Sequence, residues 1–158
     1  MRERPGGRRR ARELALALLV SADVGELGAA RVFETAGDTL AALAEEWEMD
    51  EGEQLRVLPE ATEYGRRLAE KYFRHAQEID SLIEALSEDW ALDRMAAIDR
   101  NILRMAITEL LHFTDVPVSA VINEAVELAK IYGTSDSGRF VNGMLGVLAR
   151  SRGLVETA

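Results

Sequence analysis

Apolar residues recur along most of the chain at the three- and four-residue spacing that puts side chains on one face of an α-helix. The first stretch with this spacing begins at about Arg8, and Gly25 and Gly28 end it. A second stretch, 32–47, predicts another helix with Gly37 inside it. The pattern is therefore helical from about Arg8 onward, after the residues Pro5, Gly6 and Gly7 of an arm that is predicted to be flexible.

The middle of the chain continues this pattern. The acidic segment 45–53 predicts a loop, and a longer helix is predicted to open near Pro59, because proline is favoured in a first helical turn. Its apolar spacing runs to Leu86. Asp93 is placed to cap the next helix, whose wide apolar face implies burial on more than one side.

Two further helices complete the pattern. The first follows Pro117 and ends where Gly133 suits the position after a helix, and Asp136 or Ser137 caps the second. No stretch shows the sustained alternation of apolar and polar residues that is typical of strands. We therefore predict an all-α protein with six or seven helices.

Charge is divided unevenly along the chain. The formal net charge is −9, but residues 1–12 carry +5 and the remainder carries −14. On a helix Arg8 and Arg12 share a face and Arg9 lies alongside, so three guanidinium groups could follow a phosphate backbone together. The acidic remainder would repel a long duplex, which favours a short contact with a single strand. Basic chain ends are also often solvated tails, and the cluster alone leaves both interpretations open.

The sequence disfavours an enzyme. It contains no phosphate-binding loop, dinucleotide fingerprint, metalloprotease helix or nucleophile-elbow motif. Cysteine is absent, and the two histidines, His75 and His112, lie far apart in sequence, so they are expected to be solvated or helix-end side chains. We predict no catalytic residue, no metal ligand and no cofactor.

The apolar run near the start of the chain does not predict export. It covers only residues 14–20, which is at the short limit for a secretory signal, and no clear cleavage site follows. No stretch approaches transmembrane length, so no membrane contact is expected. The absence of cysteine fits a reducing compartment. We expect a cytoplasmic protein.

Four segments of the sequence resemble the NusB family of transcription antitermination factors. They read RRRARELALALL near the N-terminus, and IDRNILRMAITELL, VPVSAVINEAVELAKIYG and DSGRFVNGMLG in the last third. The intervening residues 25–90 match in pattern more than in identity. The resemblance implies one domain, 8–152, of two packed sub-bundles at about 8–90 and 91–152. Residues 1–7 then form a flexible basic arm and residues 153–158 a tail.

The resemblance also implies a function. Members of this family bind the boxA element of ribosomal RNA leaders as single-stranded RNA, together with the ribosomal protein NusE. They join the elongating RNA polymerase complex with other Nus factors, suppress early termination and are not enzymes. Some form homodimers, so a homodimer is one assembly that the resemblance implies.

The predicted RNA contacts combine the arginine cluster with the start of the last helix. They are Arg8, Arg9, Arg10, Arg12, Asp136, Arg139 and Phe140. Phe140 either stacks on a base or belongs to the apolar stripe of its helix. The predicted contacts with NusE are Asp93, Asp99 and Val20. The family often has an aromatic residue where this chain has Val20, so one contact is expected to be missing.

Other functions remain as alternatives. One is a helical nucleic-acid-binding or protein-interaction module with no role in antitermination. A helical DNA-binding regulator is disfavoured, because no recognition helix rich in base-reading residues is visible. A NusB-like domain also precedes the catalytic half of some RNA cytosine methyltransferases, but the chain leaves no room for that half.

Overall fold

The computed structural model describes residues 4–87 and 90–154. Within these residues every regular element is helical and no strand occurs, which confirms the predicted all-α class. The α-helices are α1 (Gly7–Val24), α2 (Ala29–Glu34), α3 (Ala36–Glu46), α4 (Glu51–Arg74), α5 (Ala76–Leu86), α6 (Ala97–His112), α7 (Val118–Tyr132) and α8 (Ser137–Ser151). None of these helices is both long and apolar enough to cross a membrane.

Two predicted helices are each divided by a single residue, so the described residues form eight α-helices where six or seven were expected. Thr35 separates α2 from α3, and its hydroxyl donates back to the carbonyl oxygens of Arg31 and Val32. His75 separates α4 from α5. Periodicity alone missed both breaks, because the apolar spacing continues on each side.

The predicted loop over the acidic segment 45–53 is wrong for most of its length. Helix α3 runs to Glu46 and α4 begins at Glu51, where the backbone N–H of Glu53 donates to Asp50 Oδ1 over 2.8 Å. Pro59 lies inside α4 rather than at its start. A capping aspartate therefore outweighs proline in setting where this helix begins.

The chain forms two compact units that divide between Phe73 and Arg74, earlier than the boundary expected near residue 90. In the first unit, α1 packs on α2 and α3, and Gly65 of α4 lies so close to α1 that a Cβ there would stand 2.7 Å from the Ala11 carbonyl oxygen. Trp47 and Met49, between α3 and α4, form a smaller apolar cluster with Val57.

In the second unit, α7 and α8 pack on each other and on α6, and α5 packs on α6 and α8. These contacts place α5 in the second unit. Gly133 follows α7 as predicted, but its φ of −97° is not left-handed. Glycine is needed here because a Cβ would collide with the Ser137 side chain and with the Ala129 carbonyl oxygen.

Candidate nucleic-acid and partner interface

The arginine cluster lies at the start of α1, in the first unit. Gly6 precedes the helix and provides no side-chain cap, so the first backbone N–H groups of α1 have no such partner there. Arg8 is exposed, and its guanidinium carbon lies 3.9 Å from the centre of the Tyr64 ring. Arg9 is half-buried. These two side chains give this helix start a positive outer surface.

The side chains of Arg10 and Arg12 are largely buried in the first unit. The Arg10 side chain is 11% exposed, pairs with Glu13 at 2.7 Å and lies 4.6 Å from the centre of the Trp47 ring. Arg12 is 4% exposed. Arg8, Arg9 and Arg12 therefore do not form one accessible face, because Arg12 is buried. Arg10 and Arg12 instead pack α1 against the rest of the first unit.

The described part of the predicted basic arm is bonded to the rest of the first unit. Arg4 pairs with Glu53 at 2.6 Å and donates to the carbonyl oxygens of Trp47 and Glu48. Gly7 is already the first residue of α1. Residues 1–3 of that arm, and residues 155–158 of the predicted tail, lie outside the described part of the chain.

The second unit contains a groove where α6 and α8 begin, which we call the α6–α8 groove. It encloses about 250 Å³. It is lined by Trp90, Arg94, Met95, Ala96, Asp99, Asp136 and Phe140. The groove therefore brings together two predicted RNA contacts, Asp136 and Phe140, and one predicted NusE contact, Asp99.

Asp99 is the most informative side chain in this groove. It lies in the first turn of α6 and is half-buried. Its Oδ1 atom is buried and has no hydrogen-bond partner among the described residues. Buried polar atoms are almost always bonded, and leaving one unsatisfied costs about 1–3 kcal/mol. Asp99 therefore brings an unsatisfied acceptor to a residue of the groove lining.

Aromatic side chains supply the apolar part of the same groove. Phe140 is half-buried in its lining, so it is neither fully in the core nor fully in solvent. Trp90 is 55% exposed. Exposed aromatic rings are the surfaces on which proteins stack unpaired nucleic-acid bases.

Sequence reasoning missed Trp90 and Arg94. Trp90 is one of only two tryptophans and stands in an acidic stretch, which is an unusual place for a large apolar side chain. A tryptophan in an acidic stretch could therefore have marked Trp90 as a candidate binding residue. Arg94 lies in the 3-10 turn Leu92–Arg94, directly before α6. It adds a cation to a groove that otherwise carries two carboxylates.

The remaining predicted contacts lie outside the lining of the groove. Asp93 is exposed in the same 3-10 turn, and the predicted cap is wrong, because Ala96 precedes α6 and provides no side-chain bond. Arg139 is exposed in the first turn of α8. Val20 is half-buried on α1, in the first unit.

Comparisons with known proteins agree on one family. The NusB family model matches residues 9–150. The transcription antitermination protein NusB of Symbiobacterium thermophilum is 45% identical over 145 residues, which cover 90% of this chain and 89% of that protein.

Two solved structures are similar to this one. The T. maritima NusB structure has a TM-score of 0.69 and 36% identity, covering 90% of each chain. A crystal structure of the antitermination factors NusB and NusE in complex with double-stranded RNA has a TM-score of 0.70 and 28% identity, covering 91% of this chain and 96% of that one. Both likenesses extend over nearly the whole chain.

Proposed function

This chain belongs to the NusB family, and from that premise we propose that it is a transcription antitermination factor that binds RNA together with the ribosomal protein NusE. Its RNA is single-stranded and of the boxA type found in ribosomal RNA leaders. With other Nus factors it joins the elongating RNA polymerase complex and suppresses early termination. Its role is binding rather than catalysis.

The observation that carries this proposal is the composition of the α6–α8 groove. Aromatic rings beside carboxylates suit an unpaired base, because the ring stacks on the base while a carboxylate accepts a hydrogen bond from an exocyclic amino group. Phosphates, by contrast, would be repelled by Asp99 and Asp136. Phe140 and Asp136 therefore face a base of the RNA, and Trp90 offers a second stacking surface.

Asp99 supports a protein partner at the same groove. Its unsatisfied Oδ1 atom needs a donor, and ribosomal proteins are typically rich in lysine and arginine. Asp93 is exposed close by in sequence and adds negative charge. Because one groove holds both the RNA-facing and the partner-facing residues, bound NusE would enlarge the surface that the RNA contacts. Joint binding follows from this arrangement.

The start of α1 supplies the contact with the RNA backbone. Arg8 is exposed and can pair with a phosphate, and Arg9 is half-buried next to it. Arg10 and Arg12 act as positioning residues that keep α1 packed. We therefore expect fewer than three phosphate contacts here, with Arg8 the main one.

The test is fluorescence anisotropy with three labelled RNAs of equal length: a single-stranded boxA leader, a scrambled single strand and a duplex. The duplex is included because a similar protein is known in complex with double-stranded RNA. We expect the boxA strand to bind best and NusE to tighten its binding further. Equal affinity for the scrambled strand, or tighter binding of the duplex, would contradict the proposal.

A further inference from the structure

The two histidines of the chain meet in the second unit, although they lie far apart in sequence. The rings of His75 and His112 are stacked, with their centres 4.2 Å apart and their planes 20° from parallel. Glu78 lies beside them, with an oxygen 3.7 Å from His75 Nδ1. One ligand atom from each of the three side chains lies within 4.8 Å of the others.

Helix packing places this cluster. His75 is the residue that precedes α5, Glu78 is in the first turn of α5, and His112 ends α6. The same two helices are joined by Arg104 and Asp80, whose two hydrogen bonds measure 2.9 and 3.1 Å. This bidentate pair holds α5 and α6 at a fixed distance, and the cluster depends on that distance.

We propose that His75, Glu78 and His112 bind a divalent transition-metal ion, with Zn²⁺ the best match. Two imidazole nitrogens and one carboxylate oxygen are a ligand set that zinc accepts, and water completes the tetrahedron. Magnesium and calcium prefer oxygen ligands alone and fit this set poorly. The site joins the start of α5 to the end of α6 and is separate from the α6–α8 groove.

Binding requires only a small rearrangement of side chains. Bonds to zinc of about 2.0–2.2 Å put the ligand atoms of a tetrahedral site roughly 3.4 Å apart, so the widest separation must shrink by about 1.4 Å. The side chains of His75 and Glu78 are 35% and 53% exposed, so both have room to rotate. The rings must also tilt, because the lone pairs of parallel imidazoles do not converge on one ion.

The rest of the chain offers little competition for such an ion. It has no cysteine and no further histidine, so any zinc site with imidazole ligands must use His75 or His112. Acidic side chains elsewhere supply oxygen ligands only. A zinc affinity that survives loss of both histidines would therefore point to another kind of site.

The experiment is calorimetric titration of the full chain, without an affinity tag, with ZnCl₂. We expect one ion per chain. His75→Asn and Glu78→Gln should each weaken binding at least about tenfold, as loss of a metal-site residue does. Asparagine is a good residue at a helix start, so His75→Asn preserves the beginning of α5. Glu63→Gln removes the same charge from an exposed residue of α4 that pairs with Arg67, and should leave zinc binding unchanged.

Thermal unfolding gives a second readout. A hundredfold excess of Zn²⁺ over its dissociation constant should raise the Tm of the native chain by roughly 5 °C or more, because the ion binds only the folded state. The rise should disappear in His75→Asn. The proposal is overturned if millimolar Zn²⁺ does not bind, or if the His75→Asn/His112→Gln double variant binds zinc as the native chain does.

Discussion

The start of α1 and the α6–α8 groove differ in where their charges find partners. At α1, Arg10 is neutralised by Glu13 within the protein, Arg12 is buried, Arg9 is half-buried and Arg8 is exposed. In the groove, the buried Oδ1 atom of Asp99 has no hydrogen-bond partner in the described chain, and Trp90 is exposed. The first region pairs a buried charge within the protein, although Arg10 Nε and Trp47 Nε1 also lack hydrogen-bond partners in the described chain, whereas the groove leaves a carboxylate oxygen unpaired near an exposed ring.

This difference suggests that the start of α1 contributes mainly to stability and the α6–α8 groove mainly to binding. Breaking a charge pair that is buried in the protein costs stability, whereas an unsatisfied carboxylate oxygen and an exposed ring in a groove offer contacts to a ligand. We therefore expect substitutions inside the arginine segment to change stability and substitutions in the groove to change binding. Four predictions test this division, in order of decreasing effect.

The largest effect should come from breaking the buried ion pair. Glu13→Ala leaves Arg10 as an uncompensated charge that is 11% exposed, which should lower the free energy of unfolding by about 3 kcal/mol. Urea denaturation measures this. Glu34→Ala is the matched control, because its pair with Arg31 is fully on the surface and should contribute less than about 1 kcal/mol. If Glu13→Ala and Glu34→Ala lower the free energy of unfolding equally, the Arg10–Glu13 pair stabilises the fold no more than a surface pair does.

The second effect tests Phe140 as a stacking surface. Phe140→Ala should weaken the binding of boxA RNA by about 2 kcal/mol, or roughly thirtyfold, because one stacked base contributes about 1–3 kcal/mol. Phe140→Leu keeps the apolar bulk without the aromatic face and should be nearly as weak. If Phe140→Leu binds RNA normally, the ring acts only in packing. Val147→Ala, on the exposed surface of the same helix and outside the groove, should change nothing.

The third effect concerns the protein partner. Asp99→Asn keeps the shape of the side chain but removes its charge, so the affinity for NusE should fall by about 1.5 kcal/mol, or roughly tenfold. Calorimetry with purified NusE measures it. Asp38→Asn, at the start of α3, removes the same charge from an exposed position in the first unit and serves as the control. Reversal of charge in Asp99→Lys should weaken binding further, and an unchanged affinity would refute the assignment.

The smallest effect should come from Arg8. Arg8→Ala should weaken RNA binding about fourfold at physiological salt and reduce the slope of log K against log salt by about 0.7, which is the value for one phosphate on a single strand. Arg8→Lys retains the charge and should restore most of the slope. Arg31→Ala is a control for an exposed arginine elsewhere in the first unit. An unaltered slope in Arg8→Ala would remove this residue from the interface.

Helical periodicity predicted the fold class and placed α1, α6, α7 and α8 close to where they lie. It failed where a single residue decides a boundary. Thr35 and His75 interrupt helices whose apolar spacing continues, and Asp50 starts α4 well before Pro59. At Thr35 and Asp50 the side chain makes a local hydrogen bond that the spacing of apolar residues does not record, whereas His75 makes no side-chain cap bond to α5.

The candidate site was predictable only in part. Asp99, Asp136 and Phe140 were identified through the family resemblance, but their meeting in one groove depends on how α6 and α8 pack. Trp90 and Arg94 were missed because they belong to no motif. Arg12 was placed on an accessible face by helical geometry, whereas the apolar residues Ala11 and Leu14 around it carry that side of α1 into the interior.

The proposed function requires that an RNA base enters the α6–α8 groove. Photo-crosslinking with a boxA strand that contains 4-thiouridine, followed by mass spectrometry of the peptides, tests it most directly. In the presence of NusE, we predict crosslinks to Phe140 or Trp90 that a scrambled strand does not give. Crosslinks confined to other surfaces, with neither ring labelled, would contradict the account.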